Sequence, residues 1–137
     1  MDAPPPLHEL ETEIMEEMWG RAEATVRDVH AALNARGEKT RAYTTLLTVM
    51  TRLDGKGLLA RRRSGRYDVY VATLSREEYL ARLEQASIAT TLDNLMTFPY
   101  VRTAVERGAL ALHGAYFGVA DGRLSVRDAG SGAFSEV

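Results

Sequence analysis

The chain has 137 residues, 45% of them hydrophobic, with no cysteine and a formal net charge of −2, which suits one ordinary soluble domain or a small domain with an appended segment. Without cysteine there is no disulfide framework, thiolate nucleophile or cysteine-based metal site, and His8, His30 and His113 offer little for zinc, so neither a metal nor a cofactor is expected. No run approaches the roughly 18 apolar residues of a membrane span, and MDAPPPLHEL lacks the basic-then-apolar pattern of a secretory signal, which points to the cytoplasm and to no membrane partner.

Residues 1–6 read as a disordered, proline-rich tail. Leu7, Leu10, Ile14, Met15, Met18 and Trp19 then recur at helical spacing, with glutamates between them, and predict a first helix ending near Gly20. Thr25 precedes Asp28 by three residues as a capping pair, and Val26, Val29, Ala32 and Leu33 make the stripe of a second helix that stops before Gly37. Leu46, Leu47, Val49, Met50 and Leu53 mark a third helix over about 42–54, ended by Gly55 and Gly57. Leu58–Arg63 and Tyr67–Thr73 read as two strands around Ser64 and Gly65, with Val69 and Val71 alternating against Asp68 and Tyr70.

Ser75, three residues before Glu78, opens a fourth helix through Leu83 toward Leu95. Pro99 interrupts it, and Val101–Glu106 forms one or two further turns. Ala109–Val119 and Arg123–Asp128 then read as strands around Asp121-Gly122, and the last residues, AGSGAFSEV, as loosely held. The expected class is α+β: a winged helix-turn-helix of three helices plus a β-hairpin wing over 7–74, followed over 75–137 by a linking helix and a C-terminal helix and β-hairpin segment.

Charge is unevenly placed. Residues 1–35 carry eight acids against two arginines, a net of −6, whereas residues 36–66 carry nine bases against two acids, a net of +7. Phosphate is therefore met by the middle of the chain. In the third helix Thr44, Thr45, Thr48 and Arg52 lie near one face, with Arg41 and Tyr43 at its N-terminal approach. Short hydroxyl side chains let a helix approach the floor of the major groove, threonine methyls can touch thymine methyls, and arginine can fork onto guanine. A solvated polar face is the plain alternative. Arg61, Arg62, Arg63 and Arg66 crowd the hairpin tip, where they either straddle the DNA backbone or merely discourage strand pairing. Three helices and a hairpin in this order favour the DNA reading of both features.

The segment YTTLLTVMTRLDGKGLLARRRSGRYDVYVATLSREEY, with ELETEIMEEMW and ATVRDVHAAL before it, resembles the penicillinase-repressor group, BlaI/MecI/CopY, over residues 7–83. The resemblance implies a homodimeric winged-helix repressor on a palindromic operator, with DNA-facing positions at Arg41, Thr44, Thr45, Thr48 and Arg52 and, on the wing, Arg63 and Arg66. Dimerisation also follows from physics, because one recognition helix and one wing make too few contacts to single out one genomic site.

The group's pattern is expected to end soon after Gln85. LDNLMTFPYVRTAVERGALALHGAYFGVADGRLSVRDAGSGAF instead resembles the C-terminal tail of β-class carbonic anhydrases, without the cysteines that hold that family's zinc. Two readings of residues 87–137 stay open: a dimerisation module covering exposed strand edges, or a mimic of part of a carbonic anhydrase that docks on such an enzyme as a protein partner or senses a related ligand and couples that state to operator affinity. The competing function is a protein-interaction adaptor. No enzyme is expected and no catalytic residue is assigned, since there is no cysteine nucleophile, glycine-rich phosphate loop or histidine placed beside both an acid and a nucleophile.

Overall fold

The computed structural model describes residues 4–37 and 39–137. The expectation of a disordered tail over 1–6 therefore falls partly outside the described residues, as does Glu38 of the polar stretch before the third helix. The elements are α1 (Glu9–Trp19), α2 (Val26–Arg36), α3 (Tyr43–Gly55), β1 (Leu59–Ser64), β2 (Tyr67–Ala72), α4 (Arg76–Leu95), α5 (Pro99–Glu106), β3 (Ala115–Gly118), β4 (Arg123–Arg127) and β5 (Phe134–Glu136). This is an α+β chain with a winged helix-turn-helix at its head. It divides into two compact units, one holding Pro5–Glu78 and the other Tyr79–Val137. No helix among the described residues is long and apolar enough to cross a membrane.

In the first unit, the helices start where side chains can satisfy free backbone donors. Thr25 Oγ1 accepts from the Asp28 N–H at 3.2 Å while Asp28 Oδ2 accepts from the Thr25 N–H at 2.9 Å. Ser75 and Glu78 repeat this exchange ahead of α4, at 3.1 and 3.2 Å. The first helix begins at Glu9, two residues later than its apolar stripe suggested, with the His8 N–H donating to Glu11 Oε1 at 3.2 Å.

The three helices bury Ile14, Met15 and Met18, Val26, Val29 and Leu33, and Leu46, Val49, Met50 and Leu53 against one another. Burying side chains of this size contributes about 1.5–3 kcal/mol each, which makes this stripe the main source of the unit's cohesion. The hairpin closes the core. Its register sets Ser64 opposite Tyr67 across the two-residue turn Gly65-Arg66, one residue later than Ser64-Gly65, and Gly65 takes φ 62°, which a side chain would resist.

Tyr70 departs from the expected alternation. It was placed on the outer face with Asp68, yet it is wholly buried, because Ala24 forms an antiparallel bridge to it. The Ala24 N–H donates to the Tyr70 carbonyl at 3.0 Å, and the Tyr70 N–H donates to the Ala24 carbonyl at 2.8 Å. The linker between α1 and α2 thus adds a single-residue bridge to the edge of β2. The indole N–H of Trp19 donates to the Leu74 carbonyl at 3.0 Å, which ties the end of α1 to the chain leaving the hairpin.

In the second unit, α5 starts with Pro99 at its first position, where a missing N–H costs nothing. The expected long strand from Ala109 shrinks to Ala115–Gly118. The Ala109 and Leu110 N–H groups are taken by the Ala104 carbonyl at the end of α5, at 2.9 and 3.2 Å. The partner strand β4 has only five residues, so residues 111–113 have no strand to pair with. The supposedly loose C-terminus forms a strand. Ser131 N–H and hydroxyl donate to Asp128 Oδ2 at 2.7 and 2.8 Å, reversing the chain so that Phe134 pairs with Arg127. The second sheet therefore has three antiparallel strands in the order β3-β4-β5.

Candidate nucleic-acid interface

At about 100° per residue, the buried positions of α3, Leu46, Val49, Met50 and Leu53, occupy one arc of the helix and Thr44, Thr45, Thr48 and Arg52 occupy the opposite one. All four of the latter are exposed. Thr48 Oγ1 donates to the Thr44 carbonyl at 2.9 Å and Thr51 Oγ1 to the Leu47 carbonyl at 2.8 Å. Their hydroxyl protons are committed to the helix, so toward the outside Thr48 offers a lone pair and a methyl group. Arg52 carries no ion pair with a described carboxylate.

Tyr43 opens α3 and stands 47% exposed, its ring edge-on to His30 at a centroid distance of 5.8 Å. A groove of about 440 Å³ runs from Tyr43 and Leu47 to the hairpin tip, where Arg63, Arg66 and Tyr67 line it. The threonine-bearing helix and the basic turn are thus neighbours in one unit.

The arginines of the hairpin differ from one another. Arg61 and Arg66 are exposed and make no ion pair with a described residue. Arg62 pairs with Glu23, and Arg63 reaches Asp68 at 3.4 Å while its Nε donates to the Gly65 carbonyl at 3.2 Å. Both pairs are solvent-exposed, so each contributes no more than about 1 kcal/mol and a phosphate can replace the carboxylate.

Arg41 is not brought to this face. Its guanidinium Nη2 bonds Glu13 Oε1 on α1 at 3.0 Å, its N–H donates to Asn34 Oδ1 at 2.8 Å, and its carbonyl accepts from Asn34 Nδ2 at 3.1 Å. The acidic side of α1 captures this base, and Arg41 fixes the turn between α2 and α3 instead of extending beside Tyr43. Sequence reasoning also missed Arg27 and Tyr67, which line the groove. Arg27 was hidden in a segment of net −6. Tyr67, 61% exposed, was read only as the start of a strand.

A buried ion pair holds the face in place from behind. Glu11 is 1% exposed, and its Oε2 accepts from Lys56 Nζ at 2.7 Å, joining α1 to the residue that ends α3. Burial works to raise the Glu11 pKa, but the Lys56 bond and charge, with the His8 N–H, outweigh it and hold the carboxyl below its usual range. Glu17 is also held low, chiefly by its bond to Arg21 with Arg36 adding to it, and Asp28 is lowered by the Thr25 N–H and hydroxyl. No group of three or more His, Cys, Asp or Glu placed to hold a metal ion occurs among the described residues.

The family model for the penicillinase repressor matches residues 7–110, past residue 83 where the resemblance was expected to end, and so includes α4 and α5. The transcriptional regulator BlaI in each of two strains of Mycobacterium tuberculosis is 39% identical over 89 residues, which cover 64% of this chain. The chain spans 63% of the length of these curated relatives. The solution structure of the DNA binding domain of the repressor BlaI aligns at 26% identity with a TM-score of 0.49, covering 58% of this chain and 94% of that one.

Proposed function

We propose that this chain, which belongs to the penicillinase repressor family, is a transcriptional repressor that binds double-stranded DNA. The observation that carries the reading is the adjacency of two uncovered features: the Thr44, Thr45, Thr48 and Arg52 face of α3, and the arginine turn of the hairpin across the groove that starts at Tyr43. An exposed helix whose polar side is made of short hydroxyls and one free arginine suits the major groove. Beside it, Arg61, Arg62, Arg63 and Arg66 suit the phosphates of the adjacent backbone. The M. tuberculosis relatives, named as transcriptional regulators, support the same reading.

Within this reading each residue has a separate task. Thr48, its proton held by Thr44, accepts from a base amino group or packs its methyl on thymine. Arg52 forks onto guanine. Tyr43 and Arg27, at the edge of the groove, and Tyr67 beside the turn flank the backbone contacts. Arg41 positions the start of α3 and touches no base.

The protein acts as a homodimer on a palindromic operator. Support comes from the second unit, where Phe98 at 48%, Tyr100 at 74%, Phe117 at 57% and Val119 at 89% exposure leave apolar surface that a second copy can cover.

The test is fluorescence anisotropy of the full chain on a duplex selected from its own genomic promoters. Thr48→Ala and Arg52→Ala should each reduce discrimination at one base position by about 1–3 kcal/mol, while binding to unrelated duplex stays nearly unchanged. Uniform weakening on all sequences, or none, would remove the base-reading role from α3.

A further inference from the structure

We propose that the second unit holds a binding site for a small organic dianion with an apolar body, built between α4 and the turn joining β4 to β5. A cavity of about 470 Å³ opens there, and Arg82 of α4 and Arg127 of β4 both line it. Among the described residues neither guanidinium is ion-paired, unlike Arg123 of the same unit, which pairs with Glu136. Two half-buried positive charges that share one cavity repel each other, and partial exclusion of water sharpens that repulsion.

Arg127 carries a second signal. Its Nε is buried and has no hydrogen-bond acceptor, an unmet charged donor of a kind that native interiors rarely keep. The turn is shaped around this guanidinium. Gly132 takes φ 75°, which favours glycine, and a Cβ there would stand 3.1 Å from Arg127 Nη2, so the guanidinium lies close against this turn.

The neighbouring Asp128 carboxylate feels the charge of Arg127 but forms no ion pair with it. Asp128 is exposed, and its Oδ2 is taken by the N–H and hydroxyl of Ser131. The Gln85 amide supplies a further polar group on the cavity wall, while Ala86 and the Phe134 ring supply an apolar one.

The ligand class follows from these groups. Two guanidiniums are balanced by two negative charges, and their planar forks fit phosphate or carboxylate oxygens. An aromatic wall fits a hydrocarbon or aromatic body attached to the anion.

Phenyl phosphate is the probe, titrated into the full chain above pH 7, where the phosphate carries most of its second charge. Calorimetry should show saturable binding of one molecule per chain, at least about tenfold tighter than benzoate or inorganic phosphate, as the loss of one charge-assisted contact or of the apolar wall implies. Amide NMR shifts should concentrate at Gln85, Ser131 and Gly132. Arg82→Gln and Arg127→Gln should each weaken binding about tenfold or more, with circular dichroism confirming the fold. Arg82, whose side chain no described residue bonds, keeps the test open if Arg127→Gln unfolds. Equal affinity for the three probes, shifts confined to the hairpin arginines, or unchanged affinity in a folded Arg82→Gln variant would overturn the site.

Discussion

Replacing Lys56 by methionine should destabilise the first unit far more than any change on its surface. The variant keeps the aliphatic stem and deletes the charge, leaving the Glu11 carboxylate, 1% exposed, with the His8 N–H as its remaining hydrogen-bond donor among the described residues. Breaking a buried pair from one side costs about 3–5 kcal/mol. The Lys56 side chain is 26% exposed, so water can enter in its place, and the expected cost at pH 7 falls to about 2–3 kcal/mol. Removing both partners, as Glu11→Leu with Lys56→Met, should recover most of that loss, because no orphan charge remains.

The pH dependence supplies the sign. In the natural chain the folded-state pKa of Glu11 is lowered, so its contribution is present above the ordinary carboxylate pKa and is lost as pH falls through the folded value. In Lys56→Met burial acts with little opposition and raises that pKa. Protonation then relieves the variant while it weakens the natural chain, so the deficit narrows between pH 7 and pH 4. Urea unfolding followed by circular dichroism at both pH values measures this. A deficit below about 1 kcal/mol at pH 7, or one that does not change with pH, would refute the reasoning.

Two other outcomes follow from the same structure. The Tyr70 hydroxyl is buried without a hydrogen-bond partner, so Tyr70→Phe should leave stability unchanged or raise it by about 1–3 kcal/mol in urea unfolding, and a clear loss would reveal an acceptor for it. Light scattering of the full chain should give twice the monomer mass; a monomer at working concentration would remove the basis for a two-half-site operator.

The first unit was legible because its signals are local. The Thr25 and Ser75 caps, the apolar stripe of α3 and the turn near Gly65 each act within a few residues, and each forms where the sequence places it to within a residue or so. What escaped depends on distant partners. Tyr70 looked solvent-facing until Ala24, far away in the chain, paired with it. Arg41 belonged to a basic stretch, and its bond to Glu13 on α1 could not be read from that stretch.

The second unit shows the same limit on strand length. Alternating apolar residues from Ala109 suggest a strand, yet pairing lasts only as long as the partner, and the end of α5 takes the first two N–H groups. The last strand was readable in principle, since Asp128 followed by Gly130, Ser131 and Gly132 is a turn sequence, but composition alone made it look like a loose end. In the candidate interface, charge counting along the chain found the arginine turn and concealed Arg27, because net charge is read by segment and a groove is lined by whatever is near in space.

The most direct test of DNA binding is the salt dependence of duplex affinity for the natural chain and for Arg66→Gln, whose arginine is exposed and unpaired among the described residues. Log affinity should fall steeply and linearly with log salt, and Arg66→Gln should flatten the slope by about one unit while weakening specific and unrelated duplexes alike. A chain that binds no duplex at low salt, or one whose affinity ignores salt and the loss of Arg66, would contradict the account and move the winged helix to the role of a protein-binding adaptor.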